Sequence, residues 1–136
     1  MGRTRPSGPE RTLFSAVLRE ALKDFVLGKK YELSFAFLGP TKMTEVTWQT
    51  KKKRKPSNVL SFPLSDTSGE ILICKSTANK EAKLYGMSKE TFVVYLFIHG
   101  LLHLKGYPHG ATMESEERRV MRRFGLRTNE QSSNRN

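Results

Sequence analysis

The sequence predicts a single small domain of the α/β (α+β) class, in which a small mixed sheet packs around a central buried helix. The chain has 136 residues, the usual size of one compact domain with a real core. Stretches with the helical period alternate with stretches that have the strand period. Every residue from Phe92 to Ile98 is apolar, which indicates a helix buried on most of its circumference.

The first third of the chain predicts a helix, a strand and a second helix. Residues 12–26 carry apolar side chains at helical spacing, which predicts an amphipathic helix. Residues 31–37 alternate large apolar side chains with Glu, Ser and Ala, the pattern of a half-buried strand that ends at the Gly-Pro pair 39–40. We expect Thr41 to cap a short helix that continues to about Gln49.

The middle of the chain predicts two neighbouring strands and a third helix. Short apolar runs at 59–62 and 70–74 are separated by the turn-forming residues Asp-Thr-Ser-Gly at 66–69. A helix is expected from about Thr77 to Tyr85, before a glycine.

Two more helices complete the domain. Ser88 is the expected N-cap of the central buried helix. The last helix begins near Met113 and ends at Gly125. One face of it carries Met113, Glu117, Val120, Met121 and Phe124.

Polar segments flank this domain at both ends. Residues 1–11 mix Arg, Pro, Gly and Ser without periodicity, and residues 127–136 are polar throughout. We expect a flexible basic tail and a flexible polar tail, which leaves 12–126 as the folded domain.

The charge balance indicates a polyanionic partner. Lys and Arg number 24 against 13 acidic residues, so the formal net charge is +11. Such a field attracts phosphate backbones, so RNA or DNA is the expected partner, ahead of an anionic membrane surface or a charge kept only for solubility.

The cellular setting is inferred from what the sequence lacks. Cys74 is the only cysteine, so no intrachain disulfide partner exists and a reducing compartment is expected. The sequence has no apolar stretch long enough to span a bilayer and no apolar signal-peptide core. These features favour a cytoplasmic protein, or one of an organellar matrix in a eukaryote.

All three histidines of the chain fall within eleven residues, in the segment HGLLHLKGYPH. His99 and His103 are four residues apart, so a helix places both imidazoles on one face. Gly106 and Pro108 end that helix and let the chain turn back to deliver His109. Three such nitrogen ligands, with a fourth position open to water, are typical of one catalytic zinc ion per chain. The alternative is a cluster of core or surface histidines without a metal.

A zinc ion there favours hydrolysis as the chemistry. Zinc lowers the pKa of bound water to about 7 and polarises phosphoryl or carbonyl oxygens. The familiar zinc peptidases carry HExxH with the Glu as general base, whereas Gly100 follows His99 here. A closed structural zinc site would use cysteines, of which Cys74 is the only one.

A basic run, Lys51 to Lys55 before Pro56, is predicted to form an exposed loop. Such runs are commonly solvated and without a specific partner. Beside a hydrolytic metal the run would attract phosphate oxygens and stabilise negative charge in a phosphoryl transition state.

Four segments of the chain carry a family resemblance. Residues 99–109 resemble the HGxLHLxGxDH signature of the YbeY family of bacterial and organellar endoribonucleases, also called rRNA maturation factors. Residues 56–63, PSNVLSFP, are similar to the family's pTDVLSFP segment, and residues 69–74, GEILIC, to its GDIvIc strand. Met113 and Glu117 match its downstream MxxxE, so the resemblance covers roughly residues 31–125.

The resemblance implies a small α/β metallohydrolase domain in which His99, His103 and His109 hold zinc. It also implies single-strand-specific RNA cleavage in rRNA maturation and ribosome quality control, with rRNA or the small ribosomal subunit as partner. The family has a basic residue before its VLSFP strand that contacts or activates the substrate phosphate. By position this catalytic residue is Lys51, with Arg54 as the other candidate.

Two departures from the family pattern leave rival functions open. Pro108 stands where the family has Asp, which removes a carboxylate beside the last ligand. The short N-terminal part leaves little room for the family's first strand, so the sheet is expected to lack an edge strand. The first rival is a ribosome-associated RNA-binding factor with a structural metal and little or no nuclease activity. The second is a metal-dependent peptidase or amide hydrolase.

Overall fold

The computed structural model describes residues 12–126, so the predicted tails at 1–11 and 127–136 lie outside the described residues. Within that range the fold is the predicted small α+β domain, with five helices and one mixed sheet. The helices are α1 Ala16–Leu27, α2 Pro40–Lys51, α3 Lys75–Glu81, α4 Lys89–Lys105 and α5 Ala111–Arg123. The strands are β1 Glu32–Phe37, β2 Val59–Ser65 and β3 Ser68–Ile73, and a 3-10 turn, Ala82–Tyr85, follows α3.

The sheet has the strand order β1-β3-β2 in the described part of the chain. Strand β3 is central: it pairs parallel with β1 and antiparallel with β2. The expected loss of an edge strand concerns the N-terminal part of the chain, of which residues 1–11 lie outside the described residues. The β2–β3 hairpin brings the PSNVLSFP segment beside the central strand. This segment forms one wall of the candidate site described below.

Several helix boundaries differ from the sequence expectation because of local capping. Helix α1 begins at Ala16 because the Ser15 hydroxyl accepts a hydrogen bond from the Leu18 amide at 3.1 Å. Thr41 does not cap α2: Gly39 is the cap residue, and Pro40, whose ring presets a helical φ, is the first helical residue. The same helix continues through Lys51, so the basic run begins on a helix and not in a loop.

Helix α4 is the core of the domain. It contacts α1, α3, α5, β2 and β3, and it begins after Ser88, which caps it as predicted. Phe97 is fully buried, and its ring makes edge contacts with Phe14 and Phe35, with centroids 5.2 and 5.6 Å away. Burial of such a side chain stabilises the fold by about 1.5–3 kcal/mol. No described helix is both long and apolar enough to cross a membrane.

Gly100 sets how closely α4 approaches the sheet. A Cβ atom at this position would lie 3.0 Å from Cδ1 of Ile71 on the central strand. The missing side chain therefore lets the helix lie against β3 next to the two histidines of its exposed side.

Candidate metal centre

His99 and His103 lie on the one side of α4 that is not fully buried. They are one helical turn apart, and their Nε2 atoms are 3.1 Å from each other. Their ring planes are nearly perpendicular, with centroids 4.6 Å apart. The predicted i, i+4 geometry is therefore present.

Gly106 ends the helix and lets the chain turn back. Its φ of 113° lies in the left-handed region, and its amide donates to the carbonyls of Leu102 and His103. The turn delivers His109, whose ring centroid is 4.3 Å from that of His103. One ligand atom from each of the three histidines lies within 4.8 Å of the others, close enough to hold one metal ion. The structure thus brings together all three predicted ligands.

The outer nitrogens of the two helical histidines already face fixed acceptors. His99 Nδ1 lies 2.5 Å from a carboxylate oxygen of Glu117, and His103 Nδ1 lies 2.9 Å from the Tyr107 carbonyl. In the neutral rings each Nδ1 therefore carries the proton, which leaves a lone pair on each Nε2. Two lone pairs 3.1 Å apart repel each other, and a shared cation removes that repulsion. Tetrahedral zinc with bonds of about 2.05 Å would separate two ligands by about 3.3 Å, so the spacing of this histidine pair is compatible with such an ion.

Glu117 is a further candidate residue of the site, which the sequence analysis placed on a helix face and in the MxxxE match without giving it a role. It is a nearly fully buried carboxylate, 3% exposed, on α5. One oxygen accepts from His99 and the other from the Tyr95 hydroxyl at 2.7 Å. Burial and this hydrogen bond raise the pKa of Tyr95, so its phenol stays protonated and donates. The sequence signal was an acidic residue at a core-facing helix position, which requires a buried partner.

The electrostatics around His103 favour a neutral ligand. Partial burial lowers the pKa of His103, and the neighbouring His99 and His109 lower it further. A neutral imidazole is the form that binds a metal.

The histidines open into a groove of about 420 Å³ between α4, β2 and the end of α2. Besides the three histidines and Gly100, it is lined by the last turn of α2 and by the PSNVLSFP segment. Those lining residues are Thr50, Lys51, Asn58, Val59, Leu60, Ser61, Phe62 and Pro63. An accessible groove beside three candidate ligands leaves room for substrate, as a catalytic site requires.

The two basic candidates occupy different places. Lys51 lines the groove with the histidines. Arg54 does not line the groove: its guanidinium carbon lies 4.2 Å from the centroid of the Trp48 indole. Of the two basic candidates, Lys51 therefore lies at the groove and Arg54 lies beside it.

Comparisons with known proteins find a matching family and several similar proteins. A family model described as Endoribonuclease YbeY matches residues 7–128. The chain is similar to the endoribonuclease YbeY of Rhizobium etli, at 32% identity over 109 residues that cover 70% of this chain and 64% of that protein. It is 28% identical to the Finegoldia magna protein of the same name, over 90% of this chain and 84% of that one. It is 32% identical to that of Campylobacter jejuni, over 79% of this chain and 84% of that one.

A solved structure shares the fold. The solution structure of TM1509 from Thermotoga maritima superposes with a TM-score of 0.59 and 23% identity. The likeness covers 85% of this chain and 82% of that chain. The arrangement of helices around a small mixed sheet is therefore common to both.

Proposed function

The chain belongs to the YbeY family, and from this premise we propose that it is a zinc-dependent endoribonuclease that cleaves single-stranded RNA. The observation that carries the proposal is the cluster of His99, His103 and His109, which have one ligand atom each within 4.8 Å of the others and together line one open groove. The net charge of +11 supports a polyanionic substrate.

His99, His103 and His109 would hold the ion, which when bound supplies a water of lowered pKa and a Lewis acid for the phosphoryl oxygen. Glu117 and the Tyr107 carbonyl fix the orientation of two of the ligands. Such partners of metal-bound histidines hold the ring and raise its basicity. Glu117 is a positioning residue and not the general base, because each of its oxygens already accepts a hydrogen bond and the side chain is buried.

Lys51 would bind the substrate phosphate in the groove. Among the described residues, it is the one Lys or Arg that lines the groove with the three histidines. A cation there stabilises the charge that develops on the phosphoryl oxygens in the transition state. We assign Arg54 to RNA contacts outside the groove, because it packs on Trp48.

The cellular role that follows is maturation and quality control of ribosomal RNA, with rRNA or the small ribosomal subunit as partner. The support is the family membership together with the strongly basic charge. The corresponding location is the cytoplasm or an organellar matrix.

A ribosome-associated RNA-binding factor with a structural metal is the second candidate. The observation in its favour is Pro108, which leaves no carboxylate beside His109. Against it stands the open groove, since structural zinc sites are closed. A peptidase has less support, because Gly100 is pressed against Ile71 where the peptidase motif has its glutamate.

Cleavage assays separate these functions. The protein is incubated with a single-stranded RNA, the same RNA as a duplex, and an unstructured peptide, each with chelator and with zinc added back. The proposal expects zinc-dependent cleavage of the single strand alone. Tight, salt-sensitive RNA binding without cleavage would establish the binding factor instead, and chelator-sensitive peptide cleavage would establish a peptidase.

A further inference from the structure

Trp48, the single tryptophan of the chain, is 38% exposed near the end of α2, outside the groove. Two cations lie over its ring: the Arg54 guanidinium carbon at 4.2 Å from the centroid and the Lys52 ammonium at 5.3 Å. An exposed indole costs hydrophobic free energy that burial would recover. This arrangement, a large aromatic ring among unpaired cations on the surface, is typical of proteins that bind single-stranded nucleic acid.

The loop that presents these cations is held at both ends. Lys52 adopts the left-handed conformation, with φ 59° and ψ 33°, and its amide donates to the Trp48 carbonyl at 3.0 Å. It is the one non-glycine residue of the described chain with a positive φ, a conformation that costs about 1–2 kcal/mol. At the other end, the buried Thr47 hydroxyl contacts the Ser57 hydroxyl at 2.9 Å and accepts from the Ser57 amide at 3.2 Å. The loop is therefore folded back over Trp48 and is not a loose charge run.

Acidic groups are missing from this surface. From residue 46 to residue 65 the sequence contains no Asp or Glu, whereas residues 51–55 are all Lys or Arg. None of these five cations pairs with an acidic side chain among residues 12–126. Their charges remain available to the phosphates of a bound strand.

The surface around Trp48 adjoins the groove. Thr50 and Lys51 line the groove, and Lys51 lies three residues beyond Trp48 on the same helix. Side chains at this spacing are about 5–6 Å apart at their Cβ atoms. A strand whose phosphate meets Lys51 therefore passes beside the indole.

We infer that Trp48, flanked by Lys52 and Arg54, is a stacking subsite for one unpaired nucleobase of the RNA strand that enters the groove. The inference rests on the proposed function for its substrate class and adds to it a second point of contact outside the metal site. The base stacks on the exposed part of the indole, and the two cations meet the adjacent phosphates. A duplex cannot offer this base, which gives a physical reason for preference for single strands.

Intrinsic fluorescence tests the subsite directly, because Trp48 is the only tryptophan. Stopped-flow mixing follows binding of a ten-nucleotide single-stranded RNA before turnover, and of an abasic ribose–phosphate chain of equal length. Stacking predicts that the RNA quenches the emission and that the abasic chain does not. Equal quenching by both chains, or quenching by neither, would overturn the inference.

Substitutions give the matching affinity test, with labelled-RNA anisotropy as the readout. Stacking of one base is worth about 1–3 kcal/mol, so Trp48→Ala should weaken binding by about 5-fold to 150-fold. It should leave the salt dependence unchanged, since that slope counts phosphate contacts. Trp48→Phe retains a ring and should recover most of the affinity. Leu84→Ala, at an apolar side chain 82% exposed on the 3-10 turn, is the control and should bind like the parent.

The readouts keep the two proposals apart. RNA cleavage that needs zinc, with parental affinity in Trp48→Ala, would refute the subsite and leave the nuclease. The opposite result has two parts: RNA quenches the parent protein and Trp48→Ala binds RNA more weakly, but the parent shows no zinc-dependent cleavage. That result would support the subsite and refute the nuclease.

Discussion

Replacement of Glu117 by glutamine probes how the ligands of the metal centre are held. The substitution keeps the size of a side chain that is almost fully buried and removes its charge. The carboxylate accepts from His99 Nδ1 and from the Tyr95 hydroxyl, one donor on each oxygen. An amide offers one oxygen and one NH₂ group, so it cannot accept from both donors.

The expected loss of zinc affinity depends on which of two orientations the amide adopts. If its oxygen faces His99, the hydrogen bond remains and the Tyr95 hydroxyl rotates to accept, so only the charge that raises ligand basicity is lost. If its NH₂ group faces His99, the proton of the imidazole moves to Nε2 and blocks the ligand atom. Loss of such partners lowers metal affinity by about 10- to 100-fold, or about 1.4–2.8 kcal/mol.

The assay is competition between the protein and a chromophoric zinc chelator, with circular dichroism to confirm that each variant is folded. Glu116→Gln is the matched control: it removes the same charge from the neighbouring residue of α5, whose partner is Arg119 and not a histidine. Parental zinc affinity is expected for the control. Parental affinity in folded Glu117→Gln would show that this carboxylate does not hold His99 for the metal.

Three further predictions concern substrate, metal and core. Lys51→Ala should retain zinc and cleave single-stranded RNA more slowly than the parent. The control Lys89→Ala removes the same charge at the start of α4 and should cleave at the parental rate. Equal cleavage rates for the two variants would show that Lys51 does not act in the site. Zinc at 100 times the Kd of the parent should raise the parent's free energy of unfolding by about 2.7 kcal/mol, measured by thermal unfolding. The same zinc concentration should stabilise His109→Ala by clearly less. Equal stabilisation of the two proteins would exclude His109 as a ligand. Phe97→Ala should lower the free energy of unfolding, measured in urea, by about 3–5 kcal/mol. Leu84→Ala, at an exposed position, should lower it by less than about 0.5 kcal/mol. An equally small loss of stability for Phe97→Ala would contradict the buried position of Phe97.

The three proposed ligands could be identified from the sequence because they are close together along the chain. The spacing of His99 and His103 fixes their common face on any helix, and Gly106 marks the turn that returns His109. The apolar run that follows Ser88 likewise identified the central helix, since burial on all sides leaves a continuous apolar pattern. These predictions needed no knowledge of which elements pack together.

The partners of the ligands could not be found in this way, because they depend on packing between distant segments. Glu117 reaches His99 across 18 residues of sequence, through the contact of α5 with α4. The stacking of Arg54 on Trp48 depends on a left-handed Lys52, which no propensity predicts. The central place of β3 in the sheet is equally non-local, as strand order follows from the assembled core.

Metal content of the purified protein, measured together with RNA cleavage, is the decisive test of the proposed zinc-dependent nuclease. Elemental analysis of the parent and of His103→Ala is followed by cleavage of one single-stranded RNA before chelation, after chelation and after zinc is restored. We predict about one zinc per parent chain, little in the variant, and cleavage that disappears with the metal and returns with it. Cleavage that survives complete removal of the metal, or that His103→Ala performs at the parental rate, would contradict it.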